Sequence, residues 1–382
     1  MTISKFSFPT TIHFGPGARR LVAEHLKSVG VSRPLVVTDK GVAALPMLGE
    51  FQSHLGGLDV AVFSGVWGNP TASQAMAGAA AARAHRADAI IGFGGGAALD
   101  VAKAVALMAV HEGPVLEYAW DHPQVRPMIN PLPHFVALPT TAGTGSEVGR
   151  SSVISDDTTH VKKILFSPLL LAKAVFADPE LTLGLPGPVT AATGLDALTH
   201  NVESYLSPAY HPLCDGIALE GARIAARALP LAVKEPGNLA ARSDMLMASM
   251  MGAIAFQKDL GAVHSCAHAL GTVVDMHHGL ANGVMIDHVM RFNLPAATDK
   301  MAELARVCGA TSNQGEAGAR DFITWLAELK ASLNIPATLT PLGVKPEHLP
   351  KLVDVAIADG CHVTNPRPCM RADFDALFRA AL

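Results

Sequence analysis

The sequence predicts an α/β N-terminal domain followed by an all-helical C-terminal domain. Three observations carry this prediction: the chain has 382 residues, short apolar runs alternate with Ala-rich helical patterns in its first half, and strand patterns cease after about residue 179. Strands that are buried on both faces and separated by helices form a mostly parallel sheet. We therefore expect two domains, 1–183 and 184–382, with the boundary near residues 181–186.

The predicted elements follow in chain order. The strands of the first half are five apolar runs, at 33–38, 59–63, 87–92, 134–138 and 174–177, and two further candidates lie at 4–8 and 11–14. Helices are predicted over 73–85 and 100–110, and in the second half over 190–207, 211–228, 242–256, 262–274 and 281–292. A turn-rich break is predicted over 361–368, within an otherwise helical C-terminal portion.

Composition excludes several classes of function. The 29 Lys and Arg residues are outnumbered by 33 Asp and Glu, so the chain lacks the basic field that nucleic-acid binding needs. The sequence contains no run of 18 apolar residues, so it predicts no membrane span, and the N-terminus lacks the apolar core of a signal peptide. The five cysteines are scattered and form no C-x-x-C pair, which favours the cytoplasm. We expect a small-molecule partner, with neither nucleic acid nor membrane.

Two glycine-rich loops follow predicted strands. Residues 92–97 satisfy G-x-G-x-x-A before a helix, and residues 139–147 combine glycines with hydroxyl side chains. Backbone N–H groups in such loops, together with a helix N-terminus, bind phosphate groups. Asp39 ends another predicted strand, where a carboxylate can accept from ribose hydroxyls. The simpler interpretations are a tight turn for the first loop and a helix N-cap for Asp39; two loops together favour a nucleotide site.

Histidines are concentrated in one segment. Five of the 17 lie between positions 264 and 288, at His264, His268, His277, His278 and His288. His264 and His268 are spaced i, i+4, as are Asp196 and His200 upstream, so each pair shares one helix face. One carboxylate with two or three imidazoles predicts a divalent metal site. The alternative is a set of half-exposed helix histidines, and spacing alone leaves open which three rings would bind metal.

Five motifs together resemble the iron-containing (group III) alcohol dehydrogenases. They are GGGAALDVAK at 94–103, PTTAGTGSEV at 139–148, TAATGLDALTH at 190–200, GAVHSCAHALG at 261–271 and HHGLANG at 277–283. The resemblance covers nearly the whole chain, through residues 364–367. It implies a dehydroquinate-synthase-like fold, in which the α/β domain binds a dinucleotide and the helical domain binds metal and substrate.

The resemblance also implies a role for individual residues. The metal ligands would be Asp196, His200, His264 and His278, and His268 beside them would relay a proton or orient the substrate. The cofactor would be NAD, bound by the following residues: Gly94, Gly95 and Gly96 at the pyrophosphate, Thr140, Thr141 and Thr144 at the nicotinamide side, Lys162 at the nucleotide, and Asp39 at the adenosine ribose, where it favours NAD over NADP.

One departure and one closer likeness refine this interpretation. The family loop usually reads GGGS, whereas this chain has Ala97 in the serine place, which removes one hydroxyl from the phosphate. Residues 255–265, 277–278 and 361–366 resemble the 4-hydroxybutyrate dehydrogenase branch, whose substrate ends in a carboxylate. Arg150 or Lys258 could supply the cation that such a substrate needs. The simpler interpretation of both is a solvated surface charge.

The predicted reaction is reversible hydride transfer between NAD(H) and a small primary alcohol or aldehyde, in a cleft between the domains. The ion would be Fe(II) in the first place, with Zn(II) or another divalent ion as the alternative. Competing hypotheses are a dehydroquinate-synthase-like lyase that uses NAD transiently, a metal-free maleylacetate-type reductase, and a non-catalytic nucleotide-binding protein. The resemblance further implies a homodimer or higher homo-oligomer, in which the first strands pair across a two-fold axis.

Overall fold

A computed structural model describes residues 10–382, which form two compact units. The first unit contains residues 10–141 and Gly145–Thr182, and the second contains Ala142–Thr144 and Leu183–Leu382. The strand candidate at 4–8 lies outside the described residues.

The first unit is built on a six-stranded parallel sheet. Its strands are β1 Thr11–Phe14, β2 Pro34–Asp39, β3 Ala61–Val66, β4 Ala89–Gly94, β5 His134–Pro139 and β8 Ala174–Ala177, while β6 and β7 form a separate sheet. The strand order is β1-β8-β5-β4-β2-β3. All five strands predicted for the first half are therefore confirmed, with ends shifted by up to three residues. The central strands are apolar and buried on both faces, as in β4 with its sequence AIIGFG.

Five α-helices accompany this sheet. They are α1 Val22–Ser28, α2 Lys40–Ala43, α3 Pro46–Ser53, α4 Ala72–His85 and α5 Gly96–Val110. Helix α5 begins four residues before its predicted start, because the glycines that predict a loop also supply its first residue and its N-cap, Gly95. The core combines one sheet face with helices α1 and α3, through side chains such as Phe51 and Phe93, whose rings stack.

A separate two-stranded antiparallel sheet was not predicted. It joins β6 Ser151–Ser155 to β7 Lys162–Phe166. Polar residues dominate β6 and lysines open β7, so neither strand has the continuous apolar run that revealed the parallel strands. The candidate strand 11–14 is confirmed as β1, and one of its edges pairs with β8 of the same chain. Its pairing across a two-fold axis remains a prediction.

The described residues of the second unit form helices joined by loops, with no β-strand among them. Its α-helices are α6 Gly187–Leu206, α7 Pro212–Lys234, α8 Leu239–Ala255, α9 Ala262–Val274, α10 His278–Val307, α11 Gly315–Ser332, α12 Leu349–Ala358 and α13 Arg371–Ala381. The prediction for α10 ended at residue 292, ahead of Pro295. Helical structure resumes after Pro295 instead: two helical segments meet at a kink two residues later, where Ala297 has the non-helical angles φ −135° and ψ 20°.

The predicted fold class, an α/β unit plus an all-helical unit, is confirmed by these elements. Within residues 10–382, no helix is both long enough and apolar enough to cross a membrane.

Candidate metal centre and nucleotide loops

Four side chains of the second unit converge on one point. Asp196 and His200 lie on α6, His264 lies on α9, and His278 is the first residue of α10. The Nε2 atoms of His200, His264 and His278 lie 3.9, 3.8 and 3.5 Å from Asp196 Oδ1. The structure thus brings together the four residues that the resemblance implies as ligands. Three of them are buried and His278 is partly exposed.

This spacing fits a single divalent ion. Ligands about 2.1 Å from a tetrahedral ion lie about 3.4 Å from one another. The four potential ligand atoms all lie within 4.8 Å of one another, and their 3.5–3.9 Å distances from the carboxylate oxygen exceed the tetrahedral value slightly. Three imidazole nitrogens with one carboxylate oxygen suit Fe(II), Zn(II) and other first-row ions alike.

A glycine allows the two ligand helices to approach. A Cβ atom at Gly279, the residue after His278, would lie 2.3 Å from the Ala192 carbonyl oxygen and 3.3 Å from Asp196 Cβ. Any side chain at this position would push the start of α10 away from α6. His278 and Gly279 therefore act together: the histidine is a potential ligand, and the glycine allows the close helix contact that positions it.

Burial prepares His200 to act as a neutral ligand. Burial lowers the pKa of His200 to about 4, although the nearby Asp196 carboxylate acts in the opposite direction. The imidazole is therefore uncharged near neutral pH, which is the form that binds metal ions.

A buried carboxylate orients His264. Glu203 Oε2 lies 2.6 Å from His264 Nδ1, and Glu203 Oε1 accepts a 2.7 Å hydrogen bond from the backbone N–H of Val263. A proton on Nδ1 leaves the Nε2 lone pair free for a metal ion. Sequence analysis missed Glu203, although it follows Asp196 by seven residues and therefore lies on the same face of α6.

Asn282 contacts the same group of ligand atoms. Its Nδ2 donates to Asp196 Oδ1 at 2.7 Å and lies 3.4 and 3.3 Å from Nε2 of His264 and His278. Sequence analysis missed this residue too. The available signal was its position four residues after His278, one turn along α10.

His268 lies beside this centre. Its ring stacks on that of His278 with centroids 5.3 Å apart, and its Nδ1 lies 2.8 Å from Asp359 Oδ2. Asp359 Oδ1 also accepts from Ser265 Oγ at 2.8 Å and from the Cys361 N–H at 2.9 Å. Burial alone would raise the pKa of the Asp359 carboxyl, but His268 and these hydrogen bonds hold it well below its ordinary value. Asp359 is 91 residues from His268, and nothing in the sequence pattern signals the pair.

Two of the five clustered histidines lie outside this group. His277 caps the start of α10, where its Nδ1 accepts from the Leu280 N–H at 3.4 Å. His288 Nε2 pairs with the Ala337 carbonyl oxygen at 3.1 Å. The density of histidines in the sequence therefore overstated the size of the centre.

The first glycine loop joins β4 to α5 in the first unit. Gly94 has φ +155°, which side chains rarely adopt, and a Cβ there would lie 2.6 Å from Ala98 Cβ. Gly95 is the N-cap of α5 and, having no side chain, supplies no capping oxygen to the first N–H groups of the helix. This arrangement is a typical anion-binding helix N-terminus; Gly96 begins the helix itself.

Asp39 faces this loop and also caps a helix. Its Oδ1 accepts from the Val42 N–H at 2.8 Å, which is the N-cap contact of α2. Its Oδ2 lies 3.1 Å from the position of a Cβ on Gly94. Oδ1 of Asp39 therefore serves as the helix N-cap. Binding of the ribose by Oδ2 stays a prediction.

The second loop begins beside the first. The Thr140 N–H donates to the Gly94 carbonyl oxygen at 3.0 Å, and Thr141 Cγ2 lies 3.2 Å from the position of a Cβ on Gly95. Thr144 belongs to the stretch that groups with the second unit. In that stretch, a Cβ on Gly143 would lie 2.9 Å from Thr193 Cβ on α6, one turn before Asp196.

The remaining predicted residues have varied surroundings. Lys162 opens β7, and the Arg150 guanidinium lies 5.4 Å from the centre of the Phe166 ring. Lys258 is buried, so its interpretation as a solvated surface charge is wrong. Its ammonium forms an ion pair with Asp215 and donates to the Tyr205 carbonyl oxygen at 3.2 Å.

Comparison with known proteins defines the class. Residues 9–179 match the family described as "Iron-containing alcohol dehydrogenase", and residues 190–382 match "Fe-containing alcohol dehydrogenase family, C-terminal". The chain belongs to the iron-containing alcohol dehydrogenase family. It is accordingly an NAD-dependent oxidoreductase acting on alcohols, which confirms the family and the enzyme class that the motifs predicted.

Individual relatives match nearly the whole chain. It is 40% identical to a 1,3-propanediol dehydrogenase of Citrobacter freundii over 380 residues, which covers 98% of this chain and 97% of the relative. It is 37% identical to a 4-hydroxybutyrate dehydrogenase of Cupriavidus necator over 382 residues, covering 98% of each chain. The crystal structure of a 1,3-propanediol oxidoreductase matches with a TM-score of 0.95 and 37% identity over 100% of both chains.

Proposed function

We propose that this enzyme catalyses reversible hydride transfer between NAD(H) and a small primary alcohol or aldehyde at a divalent metal centre. The observation that carries the proposal is the convergence of three imidazole nitrogens on one oxygen of Asp196. Asp196, His200, His264 and His278 would hold the ion, which we propose to be Fe(II), with Zn(II) as the alternative. When bound, the ion supplies Lewis acidity that lowers the pKa of the substrate hydroxyl.

His268 is the proposed proton carrier. Its Nδ1 is engaged by Asp359, so Nε2 is the ring atom that can accept a proton from the alcohol and pass it to solvent. Asp359 stabilises the imidazolium that forms, because its carboxylate stays ionised. The stacking of His268 on His278 places this ring next to a proposed ligand.

The glycine loops are the proposed dinucleotide site. Gly94, Gly95 and Gly96 would hold the pyrophosphate at the N-terminus of α5, because the N–H groups there have no capping side chain. Asp39 Oδ2, beside Gly94, would accept from the adenosine ribose. We assign Thr140, Thr141 and Thr144 to the nicotinamide side and Lys162 to the nucleotide, as the family resemblance implies.

The substrate is proposed to be a short alcohol with a second polar end. Relatives at similar identity are named for 1,3-propanediol and for 4-hydroxybutyrate, which share a primary hydroxyl and a second oxygen function. Arg150 is the proposed cation for a terminal carboxylate. Lys258 is a weaker candidate, because Asp215 already neutralises its ammonium.

A substrate panel tests this proposal. Short alcohols, diols and ω-hydroxy acids are each incubated with NAD and with enzyme loaded with Fe(II) or Zn(II), and net NADH is measured. We expect NADH from primary alcohols. If 4-hydroxybutyrate is inert while simple alcohols react, the hydroxy-acid assignment is wrong and the general one stands.

The same assay separates the competing functions. A lyase regenerates its NAD and therefore accumulates no NADH, whereas a metal-free reductase keeps its full rate after chelation. A protein that binds NAD but reacts with no alcohol supports the non-catalytic alternative. We also propose a homodimer or higher homo-oligomer in the cytoplasm, consistent with five cysteines that form no disulfide; light scattering and cell fractionation test these two points.

A further inference from the structure

The first unit contains a buried ammonium group that the proposed mechanism does not use. Lys103 lies on α5 and its side chain has no solvent exposure. Its Nζ donates to the Ser146 carbonyl oxygen at 2.6 Å, to Ser146 Oγ at 2.9 Å and to the Ser151 carbonyl oxygen at 2.7 Å. An ammonium has three donors, so each of them is engaged.

Asp100, nearly one turn earlier on α5, binds the same segment. Its Oδ1 accepts from Ser146 Oγ at 2.6 Å, and its Oδ2 accepts from the Val153 N–H at 3.1 Å. Its backbone carbonyl oxygen accepts from Ser152 Oγ at 2.7 Å. The Asp100 and Lys103 charges are 3.9 Å apart. Ser146 is therefore held from both sides by one helix.

This network stabilises the loop geometry at a cost in desolvation. Burial lowers the pKa of Lys103, and the opposing effects of Asp100 and Glu147 do not cancel that shift. Apolar side chains at such positions often stabilise a fold as well as a buried ion pair does. The pair instead fixes backbone carbonyl groups that an apolar side chain could not bind.

The fixed segment is the end of the second glycine loop. The beginning of that loop is held to the first loop by the Thr140 N–H bond to Gly94, and its end is held to α5 through Ser146. The first anchor is Gly94, at the end of β4, and the second is the pair Asp100 and Lys103, in the first two turns of α5. The distance between the two loops is thus set by contacts at both ends of the second loop.

We propose that Lys103 and Asp100 are positioning residues for the dinucleotide, which hold the second glycine loop in register with the N-terminus of α5. The proposal rests on the proposed function, in which these loops bind NAD. Neither residue needs to touch the nucleotide, since each acts through Ser146.

Substitution of Lys103 by Met tests the proposal, because Met is of similar length but lacks the donors. We expect the dissociation constant of NAD, measured by fluorescence titration, to rise roughly 10- to 100-fold. In turnover, the KM for NAD should rise while kcat at saturating NAD stays near that of the wild type. The metal content should be unchanged.

Lys330→Met is the matched control. Lys330 is also a buried lysine, and it donates to Asp287 and to the Val284 carbonyl oxygen within the second unit. We expect this variant to lose thermal stability as Lys103→Met does, yet to bind NAD with wild-type affinity. If both variants weaken NAD binding equally, the effect is general destabilisation and the proposal is overturned.

Ser146→Ala provides a second variant in case Lys103→Met does not fold. It removes the hydroxyl shared by Asp100 and Lys103 but keeps the Ser146 carbonyl bond to Lys103. We expect a smaller loss of NAD affinity, and a double variant whose loss is less than the product of the single losses. Two results would overturn the proposal: wild-type NAD affinity in both Ser146→Ala and Lys103→Met, or a loss of NAD affinity in the double variant equal to the product of the two single losses. A wild-type enzyme that binds no NAD would instead refute the proposed function.

Discussion

The metal centre of the second unit and the buried network of the first unit show two ways of holding a functional group in place. In the metal centre, side chains on helices converge, and the Glu203 carboxylate orients the outer nitrogen of His264. In the network around Lys103, charged side chains hold the backbone of a loop. Two ligands on one helix are recognisable in the sequence by their i, i+4 spacing. A loop that is held through its backbone carbonyl groups is recognisable only by its glycines. The same difference determines which substitutions should affect metal and which should affect NAD.

The largest effect is expected at the metal centre. His264→Ala should abolish metal binding and turnover, because it removes one of four ligands and leaves Glu203 without its imidazole partner. Metal content by elemental analysis and NADH formation measure the two losses, while NAD affinity should be retained. A variant that binds no metal but oxidises alcohol at the wild-type rate would contradict this assignment.

A smaller effect is expected at Glu203, which contacts the ligand His264 but is not itself a proposed ligand. Glu203→Gln should lower metal affinity by about 10- to 100-fold, because a neutral amide orients His264 less strongly than a carboxylate does. Competition with a chelator of known affinity measures the change. Glu220→Gln, at an exposed ion pair with Arg223 on α7, is the control and should keep wild-type affinity. Equal affinities in all three proteins would show that Glu203 has no orienting role.

Glu147, a buried carboxyl near Lys103 in the first unit, should make the stability of the fold depend on pH. Burial raises the pKa of Glu147 from 4.5 to about 7, and its Oε1 has no hydrogen-bond partner. A raised carboxyl pKa stabilises the fold fully below 4.5, and this stabilisation is lost as pH rises through about 7. Glu147→Gln stays neutral. Its free energy of unfolding should therefore rise relative to that of the wild type by on the order of 2 kcal/mol as the pH increases from about 5 to about 8. Parallel curves of Tm against pH for the two proteins would contradict this.

The smallest effect is expected in the first glycine loop. Ala97→Ser should tighten NAD binding by at most about ten-fold, because one hydroxyl adds about one net hydrogen bond to the phosphate. Isothermal titration measures the gain, and Ala98→Ser, at a buried position next to Gly94, is the comparison that should weaken binding. Unchanged or weaker binding in Ala97→Ser would show that this loop does not face a phosphate.

The parts of the molecule that the sequence could predict share a local signal. The central strands of the sheet are apolar runs, and Asp196 with His200 has the spacing of one helical turn. The partners that complete the site lack such a signal. Asp359 contacts His268 from 91 residues away and Ser146 contacts Lys103 from 43. Serines interrupt β6 and two lysines begin β7, so neither strand is apolar along its whole length. Tertiary packing alone determines these contacts.

The most direct test of the proposed metal centre is the rate of NADH formation as metal-free enzyme is titrated with Fe(II) in the absence of oxygen. A primary alcohol and NAD are present in excess. The four-ligand centre predicts a rate that rises linearly with added metal and becomes constant at one ion per chain. A full rate before any metal is added, or no NADH at any metal content, would contradict the assignment of Asp196, His200, His264 and His278 as the centre of an alcohol dehydrogenase.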